Sequence, residues 1–226
     1  MFPALTSPQL SEIDAVLRDS GLVVLPTDTV YGIATAPYDA PAVAHLQTAK
    51  GRGGDFPPPV LVSGPDALDD LFSPATTAPA SPAGPLEMAR VLAEKFWPGP
   101  LTIIAPAPPE LGWDLGRTAG TVALRMPDHP VALQVLEHTG PLAVTSANLH
   151  GAPPATNVKA ALEYFGDLVG VYVDAGPSPT GLPSSIVNLS SGAPQMVREG
   201  AISLAQLSAA PTSRPRPAPV FTAGAR

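Results

Sequence analysis

Two short stretches place hydroxyl-bearing side chains directly after apolar runs. Residues 22–25 lead into Pro26-Thr27-Asp28-Thr29-Val30-Tyr31-Gly32, and residues 142–145 lead into Ser146-Ala147-Asn148. Turns at the carboxyl end of buried strands are where α/β folds bind ligands, and these two offer donors and acceptors with little titratable charge. Each also reads as an ordinary turn whose Asp, Thr, Ser and Asn side chains satisfy their own backbone. Lys50-Gly51-Arg52-Gly53-Gly54 sets two cations beside glycines, whose N–H groups can approach phosphate oxygens. It is not a P-loop: GxxxxGK[ST] is absent and the cations precede the glycines. A basic helix end with a Gly-Gly exit would have the same composition. Arg125 ends the apolar run 121–124, a position for a carboxylate clamp or for a rim ion pair. Gly181-Leu182-Pro183-Ser184-Ser185-Ile186 and Arg198-Glu199-Gly200 are weaker signals of the same kind.

Proton-transfer templates fail. Ser146 has no GxSxG elbow around it. His45, His129, His138 and His150 form neither HExxH nor any metal-ligand spacing, so no protein metal site is expected. Only His150 lies near a candidate turn. No carboxylate pair stands out as an acid/base couple. Hydroxyls, an Asn, a Lys and two or three Arg suit electrostatic binding of a polyanion better than acid–base catalysis.

The bulk charge makes those cations informative. The net charge is −7, and Arg214, Arg216 and Arg226 lie in an acid-free final stretch. Nine of the 12 basic residues therefore face all 19 acids in the body of the chain. Such a body repels nucleic acid overall, and any anion it binds must be met by a few localised cations. The absence of cysteine excludes thiol catalysis, thiolate metal sites and disulfides. The start, MFPALTSPQL, has neither a basic nor an apolar signal region, and no run approaches the ~18 apolar residues of a membrane span. A soluble cytoplasmic protein with no membrane association is the expectation.

Positioning these residues requires a folded chain. Proline (31) and glycine (20) are abundant, but 45% hydrophobic and 14% charged residues oppose the signature of disorder. Periodicity predicts helices over 8–17, 39–50, 86–96, 128–138 and 203–207, and one capped by Thr156 that carries Val158, Leu162 and Phe165. Strands are expected at 22–25, 60–62, 101–105, 121–124, 142–145, 169–173, 185–189 and 196–197. The alternation argues for an α/β domain with a mixed sheet. It occupies 1–207, with a flexible excursion over 73–85 and a Pro/Ala-rich tail over 208–226.

PTDTVYG, KGR, FWPGPLT, TVALRMPDHP, SANLHG, DAGP, GLPSSIV and REGAI occur in that order across 26–202. In register they resemble the YrdC family of L-threonylcarbamoyladenylate synthases. The resemblance implies a single domain in which a twisted mixed sheet, flanked by helices, curves around a large cleft. It implies that ATP, L-threonine and bicarbonate or CO2 give threonylcarbamoyl-AMP and pyrophosphate. A partner transferase complex would then modify the tRNA adenosine beside the anticodon, so that tRNA is met only through that partner.

By the same resemblance Lys50 and Arg52 would be catalytic and hold the ATP phosphates, with Mg2+. Thr121, Asn148, Thr156 and Arg198 would complete the ATP site, and Thr29, Arg125, Ser146 and Ser185 would hold threonine. Two positions depart from the family pattern, which has Pro after Lys-x-Arg and a basic residue before the later Pro. Here they are Gly53 and Phe56. The usual Ser-Thr pair is Ser184-Ser185, and the residues after Leu207 are too few for the second domain of longer members. Two other functions fit less well: a non-catalytic RNA-binding or ribosome-assembly module, and carbamoyl-adenylate formation for another acceptor.

Overall fold

The computed structural model describes residues 4–74, 84–191 and 194–209. Most of the 73–85 excursion and the tail beyond Ala209 lie outside the described residues.

Among the described residues nine strands form one mixed sheet. In chain order they are β1 (Val23–Leu25), β2 (Gly32–Thr35), β3 (Val60–Leu61), β4 (Leu101–Pro106), β5 (Thr121–Arg125), β6 (Leu142–Ser146), β7 (Val171–Tyr172), β8 (Ser185–Asn188) and β9 (Gln195–Arg198). Their spatial order is β7-β1-β2-β6-β3-β5-β4-β8-β9. Three pairings, β1 with β7, β3 with β5 and β4 with β8, are parallel. The helices are α1 (Ser7–Arg18), α2 (Ala40–Ala49), α3 (Ala67–Leu71), α4 (Gly84–Phe96), α5 (Pro130–Thr139), α6 (Val158–Phe165) and α7 (Leu204–Ser208).

The two halves of the sheet are packed differently, and side-chain alternation shows how. In β1, Val23 and Leu25 pack with Ile13, Leu17, Val135 and Leu136 of α1 and α5. Leu22 and Val24 point the other way, to Leu46 and Phe165 of α2 and α6. Helices thus cover both faces of β1, which is why it is apolar without interruption. In β4, Leu101, Ile103 and Ala105 pack with Trp97, Leu92 and Phe72. Thr102 and Ile104 face a cavity instead. Likewise Val122 and Leu124 of β5 enter the core, whereas Ala123 and Arg125 face the cavity. A sheet half with helices on one face only leaves its other face as a floor.

Local chemistry fixes the ends of α2. Asp39 Oδ1 accepts from the Ala42 N–H at 3.1 Å, closing the amino end. At the carboxyl end Gly51 adopts φ +66°, its N–H donates to Thr48 O at 2.9 Å and Arg52 N–H donates to Gln47 O at 3.1 Å. This paired closure satisfies two helix-end carbonyls and sends the chain out at Arg52.

Three elements differ from expectation. β2 begins at the last residue of the 26–32 turn and continues where the sequence predicts no element, because its four residues gain strand character from pairing with β1 and β6 on both sides. The five-residue α3 is too short to leave a period. The cap of α6 is Asn157, whose side chain accepts from Ala160 N–H at 2.9 Å, not Thr156.

Because Gly51 sits in the left-handed region, Gly51→Ala is expected to cost about 1–2 kcal/mol. Urea unfolding of the two proteins measures this, and an unchanged midpoint would contradict the role of the turn.

Candidate active site

The cavity has a volume of about 360 Å³. Its floor is the open face of β4, β5 and β8, and its walls come from the segments after β1, β6 and α2. Five of the residues expected from sequence line it together: Thr29, Arg52, Arg125, Ser146 and Arg198.

Arg125 is the most constrained. Its side chain is 7% exposed and forms an ion pair with Asp28. Nε donates to Gly99 O and NH1 to Thr29 Oγ1, each at 3.0 Å. Burial pulls the Arg125 guanidinium below its ordinary value, opposed by Asp28 and reinforced by the positive charge of Arg198. It stays protonated because an arginine starts so high. Asp28 also accepts from Asp128 N–H at 3.1 Å, so one carboxylate joins the 26–32 turn to the end of β5.

The hydroxyls around Arg125 form their own network. Thr27 Oγ1 lies 2.9 Å from Thr29 Oγ1 and donates to Val30 O at 2.7 Å. Gly181 N–H donates to Thr29 O at 3.1 Å, tying the 177–184 segment over the same turn. On the opposite side Arg198 donates from Nε to Ser184 O and from NH2 to Ser184 Oγ, each at 3.0 Å. Ser184 Oγ meets Thr102 Oγ1 at 2.9 Å.

Arg52 reaches the third wall. Its Nε donates to Gln47 Oε1 at 2.9 Å and its NH2 to Thr145 Oγ1 at 3.1 Å. Burial lowers the guanidinium values of Arg52 and Arg198 as well. Each guanidinium has five N–H groups, so all three arginines keep donors beyond these bonds for a ligand.

Lys50 and Asn148 sit behind this wall. Lys50 is 2% exposed, and its ammonium donates to Ser146 O, to Asn148 O at 2.6 Å and to Asn148 Oδ1 at 3.1 Å. Asn148 Nδ2 donates to Leu149 O and Ala152 O at 2.9 and 2.7 Å. Burial, then the neighbouring Arg52 charge, pulls Lys50 down to about 7. The three oxygens around Nζ favour its ammonium form. In this arrangement Lys50 holds the Ser146–Asn148 turn.

The remaining expected residues are placed apart. Thr121 shares the cavity-facing side of β5 with Ala123 and Arg125 by alternation, and its hydroxyl donates to Thr118 O at 2.7 Å. Thr156 is exposed, and its carbonyl accepts from Ser178 N–H at 2.7 Å. Ser185 is fully buried: Oγ accepts from Gly200 and Ile202 N–H and donates to Ile202 O at 2.6 Å. Its neighbour Ser184 faces the cavity instead. Thr102, Thr145, Asp55 and Phe56 line the cavity without having been singled out as ligand-binding residues. Two of them carried a signal: Thr102 is a lone hydroxyl in an apolar strand, and Thr145 opens the hydroxyl-rich 145–148 turn.

Three guanidinium groups and a ring of hydroxyls around one cavity, on a mixed-sheet α/β domain, are an arrangement whose chemistry suits anions. The Sua5/YciO/YrdC family model, described as “Telomere recombination”, matches residues 15–200, and the chain belongs to that family. It is 46% identical over 193 residues to a Mycobacterium leprae protein, covering 85% of this chain and 83% of that one. A Bacillus subtilis protein named threonylcarbamoyl-AMP synthase is 37% identical over 206 residues, covering 89% of this chain and 56% of that one. Pyrococcus abyssi Sua5, solved in complex with L-threonine, superposes with a TM-score of 0.81 at 30% identity. That match covers 91% of this chain and 58% of the archaeal one, so this chain spans little more than half of these two longer relatives.

Removing the partner of a buried arginine leaves its charge uncompensated. Asp28→Ala is therefore expected to cost about 3–5 kcal/mol in urea unfolding. A loss below about 1 kcal/mol would mean that water already compensates Arg125. Lys50 gives a pH test. Its folded value is depressed, so from about pH 7 to its unfolded value near 10.4 the unfolded chain binds more protons, and stability rises with pH. Below pH 7 that contribution is flat. The stability of wild type relative to Lys50→Met should climb between pH 7 and 9, and a flat difference would place Lys50 outside its depressed range.

Proposed function

We propose that this chain forms threonylcarbamoyl-AMP and pyrophosphate from L-threonine, bicarbonate or CO2, and ATP. The observation that carries the reading is the convergence of Arg52, Arg125 and Arg198 on one hydroxyl-lined cavity of an otherwise acidic protein. The names and L-threonine complex of its relatives support it.

The chemistry needs little from titrating side chains. The threonine amine attacks CO2, forming the N–C bond of a carbamate and releasing a proton. A carbamate oxygen then attacks the α-phosphorus, and the bond to pyrophosphate breaks. Positioning and charge stabilisation supply the catalysis in such transfers.

Arg125, with Thr29 and Ser146 near it, takes the threonine carboxylate. Arg52 and Arg198 take phosphate oxygens, with Ser184, Thr102 and Thr145 as hydroxyl partners. Lys50 and Asn148 hold the Ser146 turn in place. Thr121 and Thr156 lie at the periphery of the nucleotide, and Ser185 acts by fixing Ser184 and the 200–202 segment. Among the described residues no cluster of three or more His, Asp or Glu could hold a metal ion. Mg2+, which keeps most of its waters and takes phosphate oxygens readily, fits this site as a passenger on ATP. It would supply charge neutralisation at the phosphates. The product passes to a separate transferase complex that modifies tRNA in the cytoplasm, and RNA is met there.

Pyrophosphate release measured with ATP, bicarbonate and threonine tests the reading. Release should require threonine, and Arg52→Ala should lower kcat/KM by roughly 10²–10³-fold with the circular dichroism spectrum unchanged. Threonine-independent release would point to another acceptor. No release, with tight RNA binding, would overturn the enzymatic reading.

A further inference from the structure

Phe56 stands where the family pattern has a basic residue, on the loop that leaves α2 through Arg52. It is 50% exposed, yet it lines the cavity beside Arg52 and Asp55. A large apolar ring held half in water at the mouth of a charged cavity gains free energy when a ligand covers it.

The ring is held in place rather than left loose. Gln47 Nε2 donates to Phe56 O at 3.0 Å, and Pro57-Pro58-Pro59 stiffens the chain that follows. Upstream, Gly54 lies against Gly116, at φ +98°, so closely that a Cβ at Gly116 would stand 2.4 Å from Gly54 O. Arg117 N–H donates to that same carbonyl at 2.8 Å. Phe56 also meets the His150 ring, with centroids 5.2 Å apart and planes tilted by 42°. His150 is itself positioned, since its backbone N–H donates to Lys50 O at 3.0 Å.

We infer that Phe56, with His150 beside it, is a stacking face for the purine base of the nucleotide. The inference rests on the ATP-consuming reading given above. The guanidinium carbon of Arg52 is 5.9 Å from the centre of the Phe56 ring, so phosphates met by Arg52 leave the base within reach of that ring. Tyr31 also lines the cavity, but it is fully buried and its hydroxyl donates to Gly176 O at 2.6 Å, so of the two aromatic lining residues it is Phe56 that offers an exposed ring face. Stacking replaces, through the base, affinity that a cation at this position would supply through the phosphates. The role is one of specificity: a π-face distinguishes nucleotides from base-free polyphosphates.

Isothermal titration of ATP and of inorganic tripolyphosphate, each with Mg2+, into wild type, Phe56→Leu and Phe56→Trp separates the possibilities. Stacking predicts that Phe56→Leu weakens ATP about tenfold, leaves tripolyphosphate unchanged, and that Phe56→Trp retains ATP affinity. Equal losses for both ligands would show that the ring only steadies Arg52, and the inference falls. Unchanged ATP binding in Phe56→Leu also overturns it while leaving the proposed function standing. A wild type that binds tripolyphosphate but not ATP overturns both.

Discussion

A single buried ammonium organises this site. Lys50 closes α2, and its three N–H donors all end on oxygens of the Ser146–Asn148 turn. Taking a charge out of water is expensive unless its donors are satisfied, so the turn after β6 and the end of α2 cannot separate without exposing that penalty. The backbone bond from His150 to Lys50 O closes the same junction from the other strand of chain. Two residues further on, the helix-closing turn at Gly51 delivers Arg52 against Thr145. The position of one cation at the cavity thus follows from the burial of another behind it.

The cavity itself is a consequence of unequal covering. Where helices pack on both faces, as at β1, side chains of both alternations are apolar and nothing is left to bind. Where α4 and its neighbours cover only one face of β4 and β5, the other alternation carries Thr102, Ile104, Ala123 and Arg125 into open space. The polar groups are then clamped from the rim: Asp28 on Arg125, Ser184 on Arg198, Gln47 on Arg52. Such preorganised donors need not reorient when a ligand charge arrives, which is the condition for electrostatic catalysis.

Much of this was legible in the sequence because its elements end on strong punctuation. Asp39 and Gly51 bound α2, and Trp97-Pro98-Gly99-Pro100 stops the helix before β4. Scarcity of cations drew attention to Lys50 and Arg52, whereas Arg125 and Arg198 were assigned to the site only by the motif resemblance. What the sequence withheld is tertiary. β2 is a strand only because β1 and β6 flank it. The division of labour between Ser184 and Ser185 depends on the phase of β8 relative to the open face, since adjacent strand residues point to opposite sides. That Lys50 turns inward, unlike an ordinary helix-end lysine, depends on carbonyls nearly a hundred residues away.

The pairing of charges also sorts the site by ligand. Arg125 is already matched to Asp28 and to a hydroxyl, so it presents a partly neutralised guanidinium. Such a group suits a singly charged carboxylate, whose planar oxygens take two parallel N–H donors. Arg52 and Arg198 are held by neutral amide, hydroxyl and carbonyl groups, so their charge is uncompensated by these contacts. A polyphosphate, with several negative charges to offset, gains most from them. An acidic body then becomes an advantage: weak repulsion elsewhere sharpens the contrast with the arginine-lined cavity, where a polyanion is attracted.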